Sequence, residues 1–192
     1  LKVLLSIGGW GSGRFSEMAA NDEYRRAFAA DCDRVVKEFA LDGIDIDWEY
    51  PTSSMANISS SPDDTENFTL LMQDIRAAIG NEKELTLATV ASARYIDFKA
   101  ILPSVDFVNI MAYDMASAPK HHSALYPSGH SGDITSDGAV TAHLKAGVPP
   151  SKLVMGMPFY GRGGDGYPSF QDYNKVGNTD TQYTDCLLYT SP

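Results

Sequence analysis

The chain has 192 residues, 43% of them hydrophobic, enough to build a sizeable core as one domain or a large part of one. A formal charge of -10 and a pI near 4.7 oppose phosphate-rich partners, which excludes nucleic acid but not a neutral polymer such as a polysaccharide. No run approaches the roughly 18 consecutive apolar residues of a membrane span, and Cys32 and Cys186 form neither a disulfide framework nor a metal-type spacing.

Residues 2–7 are a short apolar run closed by Gly8 and Gly9, as in a strand covered on both faces; the two glycines suit a tight turn or a close backbone approach to a ligand. Asn21 or Asp22 then caps a helix whose stripe is Tyr24, Phe28, Cys32, Val35, Val36 and Phe39, with Cys32 as a small buried hydrophobe. Residues 43–48 form the next strand, 53–61 a polar loop, and Asp63 or Asp64 the next cap. Phe68, Leu71, Met72, Ile75 and Ile79 make the following helical stripe, which Gly80 ends. Residues 85–90 alternate as a strand, a short helix near 97–102 stops before Pro103, and 106–112 is another strand. A Ser/Gly/His-rich loop follows, in which His121 and His122 lack a third ligand at metal spacing and read as loop residues. A helix over 136–146 is closed by Gly147, and 153–157 is the last clear strand.

Strands separated by helices pair in parallel through right-handed crossovers. Both an open doubly wound sheet and an incomplete (β/α) barrel satisfy that pattern. Polar residues decide for the barrel. Ser6 to Gly9, the acids up to Glu49, Tyr113-Asp114, and Tyr160 to Arg162 stand at the C-terminal ends of different strands, where a barrel gathers its chemistry. An open sheet would place its ligand at a single switch point. No Gly-x-Gly-x-x-Gly follows a strand, so a dinucleotide has no cradle, and no cofactor is expected.

Asp45, Asp47 and Glu49 are spaced by two on a strand, so they share one face while Ile44, Ile46 and Trp48 share the other. Neighbouring carboxylates then lie about 7 Å apart and repel by roughly 2 kcal/mol at an effective dielectric near 20, more than one pKa unit. Such a ladder favours keeping one proton near neutral pH, which general-acid chemistry requires. A solvated acidic face fits poorly on a strand covered by helices. A hard-metal site at Asp-x-Asp-x-Glu has no accompanying EF-hand or phosphate loop, so no metal is expected.

The run Asp42-Gly-Ile-Asp-Ile-Asp-Trp-Glu-Tyr-Pro51 resembles the signature of the fourth barrel strand in the family-18 glycoside hydrolases, the chitinases and their relatives. Ser6-Ile-Gly-Gly-Trp10 is similar to that family's third-strand motif, Met111-Ala-Tyr-Asp114 to its sixth, and Met157-Pro-Phe-Tyr-Gly-Arg162 to its seventh; together the likeness covers residues 1–165. The resemblance implies a (β/α)8 TIM barrel of which this chain holds about strands 3 to 7. It also implies retaining, substrate-assisted hydrolysis of β-1,4-linked N-acetylglucosamine polymers, chitin and chitooligosaccharides, with no enzyme nucleophile. Glu49 would be the general acid and later the base. Asp47 would orient the acetamido group, with Asp45 tuning it from deeper in the barrel, and Tyr113 would donate to the acetamido carbonyl. Trp10, Met111, Asp114, Tyr160 and Arg162 would contact the sugar, Trp10 as a stacking platform.

The same resemblance implies an extracellular or periplasmic, monomeric parent enzyme. Two related readings share the scaffold, an endo-β-N-acetylglucosaminidase acting on N-glycans and a non-catalytic chitinase-like lectin, although lectins of this kind lack an acid at the Glu49 position. A metal-dependent transferase would instead lose activity in chelator. Residues 1–185 are read as the partial catalytic barrel domain. Residues 186–192 match one reading frame of the transposase adapter ligated to sequencing libraries and are expected to be adapter-derived. The first, second and eighth family strands have no counterpart here, the eighth carrying the Trp at the floor of the central sugar site. The chain by itself is therefore expected to be poorly soluble, through its unpaired sheet edges, and inactive.

Overall fold

A computed structural model describes residues 1–161 of the chain. Arg162 and the segment 186–192 fall outside the described residues. The five strands are β1 (Leu4–Gly8), β2 (Gly43–Asp47), β3 (Glu84–Val90), β4 (Phe107–Met111) and β5 (Leu153–Met155), joined in the sheet order β1-β2-β3-β4-β5. Every hydrogen-bonded neighbour is also the neighbour in sequence, so the order never reverses and no switch point exists. That excludes the doubly wound alternative and leaves the partial (β/α)8 barrel. β1 pairs β2 and β2 pairs β3 in parallel, with Ser6 opposite Asp45 and Asp45 opposite Thr86.

Helices α1 (Phe15–Ala19), α2 (Asp22–Glu38), α3 (Asp64–Ile79), α4 (Phe98–Ile101) and α5 (Ser136–Lys145) fill the connections. Asn21 caps α2, its side chain accepting from the N–H groups of Glu23 at 2.9 Å and Tyr24 at 3.0 Å. Asp97 caps α4 through Ala100 N–H, and Gly80 ends α3 at φ 76. The stripe of α3 is buried as the sequence predicts. That of α2 is rotated. Tyr24 and Phe39 are 58% and 64% exposed; of the predicted stripe Cys32 and Val36 keep their buried places, joined by Arg25 and Ala29. Arg25 can be buried because its guanidinium donates to Asp74 at 2.8 Å, to the Ala19 carbonyl at 2.9 Å and to Asp22. Cys32 is buried as predicted, and burial pushes its thiol up to about 12.

Two compact units are distinguished. The first contains Leu1–Thr89, Arg94–Asn109 and Ala146–Leu153; the second contains Val90–Ala93, Ile110–Lys145 and the described residues from Val154 to Gly161. The first holds the principal core, in which α2 packs on α3 and Ile44, Ile46, Phe68, Leu71, Met72, Ile75, Leu85 and Leu87 are fully buried. Among the described residues no helix is long and apolar enough to cross a membrane.

Candidate active site

The first unit carries Trp10 and the acidic ladder. On β2, Ile44 and Ile46 are buried completely and Trp48, just past the strand, is nearly so, packed flat on Phe15 at 5.4 Å and edge-on to Phe68 of α3 at 5.6 Å. The apolar face therefore meets the helices, and the half-buried Asp45, Asp47 and Glu49 take the opposite side. β2 itself stops at Asp47, one residue short of the expected end. Glu49 lies in a bend two residues beyond, and the Glu49–Tyr50 peptide is cis.

Asp45 is clamped by neutral donors from three neighbouring strands. Ser6 Oγ donates at 2.7 Å from β1, Thr86 Oγ1 at 2.5 Å from β3 and Asn109 Nδ2 at 3.1 Å from β4. The parallel register sets this layer, since in-register residues of parallel strands point to the same face. Asp47 has the opposite surroundings. Its Oδ1 is buried with no hydrogen-bond partner among the described residues. Burial, then the charges of Glu49 and Asp45, pushes its carboxyl up to about 7. The ladder thus retains a proton near neutrality, as the spacing predicts, and Asp47 is a site that holds it. Gly8 makes the close backbone contact behind Asp47. A Cβ there would stand 1.9 Å from the Asp47 carbonyl oxygen, at φ 130, while Gly9 N–H donates to that oxygen at 2.8 Å.

Beside Glu49 lies an aromatic group. The Tyr50 hydroxyl hydrogen-bonds Glu49, and burial, followed by the charge of Glu49, raises the phenol well above its usual range. Tyr50 stacks on Tyr95 at 5.3 Å and meets Trp10 edge-on at 6.4 Å. Trp10 is 61% exposed, so it is not core packing.

The second unit carries Met111, Tyr113, Asp114 and Tyr160. Met111 ends β4 half-buried; Tyr113 and Asp114 come two and three residues later, Asp114 at φ 55. The Tyr113 ring lies edge-on to Tyr160 at 6.3 Å and against Gly156, where a Cβ would come within 2.9 Å of it. Tyr160 in turn stacks on His122 at 5.2 Å.

A pair of carboxyls with opposed surroundings, one clamped and one proton-retaining, ahead of a third acid at a strand end, is suited to acid–base chemistry. Comparison with known proteins agrees. The sequence matches the profile of "Glycosyl hydrolases family 18" over residues 1–187. The chain belongs to glycosyl hydrolase family 18. Chitinase A1 of Niallia circulans is 38% identical to it over 195 residues, 86% of this chain and 27% of that protein. Chitotriosidase-1 of Mus musculus is 37% identical over 184 residues, 84% of this chain and 39% of that protein. Among solved structures, the chitinase domain of the spore coat protein CotE from Clostridium difficile matches with a TM-score of 0.87 and 38% identity, over 91% of this chain and 54% of that one. A family-18 N-acetylglucosaminidase from Paenibacillus barengoltzii matches with a TM-score of 0.79 and 40% identity, over 84% and 52%. This family-18 chain therefore spans well under half of those curated relatives and about half of the solved ones.

Several contacts have no signature in the sequence. In the first unit these are Thr86 and Asn109 on Asp45 and the stack of Tyr50 on Tyr95; in the second it is Gly156 against Tyr113. Asn109 did leave a signal, as a polar residue inside the otherwise apolar β4. Among the described residues no three His, Cys, Asp or Glu are grouped to hold a metal ion.

Proposed function

We propose that the full-length protein bearing this chain hydrolyses β-1,4-linked N-acetylglucosamine polymers, chitin and chitooligosaccharides, with retention of configuration. The observation that carries this reading is the Asp45–Asp47–Glu49 ladder, with Asp45 held by three donors and Asp47 keeping a proton near neutral pH. Glu49 protonates the glycosidic oxygen as the bond to the anomeric carbon breaks. The substrate's own acetamido carbonyl oxygen attacks that carbon and forms an oxazolinium-type ring. Asp47 accepts from the acetamido N–H; the buried, unpartnered Oδ1 is an acceptor available for it. Tyr113 donates its hydroxyl to the acetamido carbonyl. Water, deprotonated by Glu49, then opens the ring from the face that the leaving group vacated, opposite the acetamido oxygen. Trp10, Met111, Asp114, Tyr160 and Arg162 bind sugar, with the exposed Trp10 face as a stacking surface.

The presence of Glu49 opposes a lectin. A second reading on the same scaffold is an endo-acting enzyme on the N-acetylglucosamine core of N-linked glycans. We place the parent protein outside the cytoplasm, extracellular or periplasmic, and monomeric. The test compares full-length wild type and Glu49→Gln on N-acetylglucosamine oligomers and on an N-glycosylated protein. Wild type should cleave the oligomers, and the variant should lose at least about 100-fold in turnover. Near-normal turnover by the variant would remove Glu49 as the acid. Cleavage confined to the glycoprotein would shift the assignment to the second reading.

A further inference from the structure

Tyr113 and Asp114 stand two and three residues past the end of β4, and one of them has an unusual backbone: Asp114 sits in the left-handed region at φ 55. For a residue with a Cβ this conformation needs external support. The support comes from two consecutive buried residues of the following loop. Ser123 Oγ donates to the Ala112 carbonyl at 2.6 Å. His122 Nδ1 accepts from Asp114 N–H at 3.2 Å, and the His122 carbonyl accepts from Met115 N–H at 2.8 Å. Three bonds thus grip the backbone on both sides of Tyr113. The His122 ring also stacks on Tyr160, whose ring meets Tyr113 edge-on.

The bond from Asp114 N–H fixes the imidazole tautomer. A nitrogen that accepts carries no proton, so Nε2 bears the ring hydrogen. The Asp114 Oδ1 stands 3.4 Å from the same Nδ1, and with the backbone N–H directed there the contact is not an ion pair. Nε2 is buried and has no hydrogen-bond partner among the described residues. An unpaired buried N–H costs about 1–3 kcal/mol, so a residue needed only for packing would be better replaced by an apolar ring. The cost is tolerated where Nδ1 is required.

We propose that the His122–Ser123 dipeptide is the positioning element for Tyr113 and Asp114, with the His122 Nδ1 acceptor as its essential atom. The proposal rests on the reading that Tyr113 acts on the acetamido group. Displacing an aligned group by ~1 Å costs on the order of 100-fold in rate. Asn presents an oxygen near the place of Nδ1, whereas Gln reaches the place of Nε2 and leaves Asp114 N–H without its acceptor.

In the full-length protein, His122→Gln should lower kcat on N-acetylglucosamine oligomers by about 10–100-fold, with a smaller change in KM and a melting temperature close to that of wild type. His122→Asn should recover at least tenfold of that loss. In a Tyr113→Phe background, His122→Gln should cost less than about twofold further in kcat, because the hydroxyl it positions is gone and the remaining partner, Asp114, is a sugar contact whose displacement shows in KM. Equal losses for Asn and Gln, or a full additional loss on Tyr113→Phe, would overturn the positioning role. Normal turnover by Tyr113→Phe alone would instead sink the reading of Tyr113, and the proposal with it. His143 is the control for a structural histidine: it is buried in α5, with Nδ1 at 2.7 Å from the Ala139 carbonyl. His143→Gln should lower the melting temperature and leave kcat as it is.

Discussion

Replacing Asp47 by Asn removes a carboxyl that binds its proton more tightly in the folded protein than in the unfolded chain. Burial, then Glu49, then Asp45, raise it from 3.8 to about 7. Below pH ~4 the group is protonated in both states and costs nothing. Between pH ~4 and ~7 the unfolded chain releases the proton while the fold retains it, so stability falls as pH rises and levels off above ~7. Three pKa units correspond to at most about 4 kcal/mol; Asp47 is only half-buried, and solvent screening reduces this to about 1–2 kcal/mol. The Asn variant of the full-length protein has no such dependence. Its melting temperature, measured from pH 4.5 to 8, should match wild type at the acid end and exceed it by about 2–6 °C at pH 8. A difference that stays flat with pH, or a variant less stable than wild type at pH 8, would refute the assignment of the retained proton to Asp47. The same variant should be nearly inactive, since the amide can still accept from the acetamido N–H but carries neither a titratable proton nor a negative charge to set against the cationic ring.

Gly8→Ala puts a methyl group 1.9 Å from the Asp47 carbonyl oxygen at a φ of 130, and the full-length protein should lose about 3–5 kcal/mol in denaturant unfolding. A loss below 1 kcal/mol would mean that β1 and β2 separate freely there. Thr86→Val removes one charge-assisted donor from Asp45 and should cost about 1.5–3 kcal/mol by the same assay. A neutral outcome would show that Ser6 and Asn109 suffice to hold the carboxylate.

The parts of this fold that were legible in the sequence are those governed by local period. Alternation over Asp45 to Trp48 assigned the faces of β2 because a strand's side chains alternate whatever surrounds them. The α3 stripe and the Asn21 cap are legible for the same reason, being set by neighbours within a turn, whereas Asp63, expected to cap α3, makes no side-chain capping bond. What failed depended on distant partners. Arg25 displaces Tyr24 from the buried side of α2 only because Asp74, 49 residues away, supplies a carboxylate. Helix α1 has five residues, too few to show a period. The layer of Ser6, Thr86 and Asn109 around Asp45 exists through inter-strand register, which a single strand does not encode. His122 was weighed only as a metal ligand, and its bond to Asp114 N–H requires the loop to fold back across eight residues.

The account stands most directly on the anomeric configuration of the first product. Proton NMR of the full-length protein acting on an N-acetylglucosamine oligomer, recorded before mutarotation, should show the β-anomer at the new reducing end. The acetamido oxygen and then water must enter from opposite faces of the same carbon for that result. An initial α-anomer would mean one direct displacement by water, and would contradict the substrate-assisted chemistry assigned to Glu49, Asp47 and Tyr113.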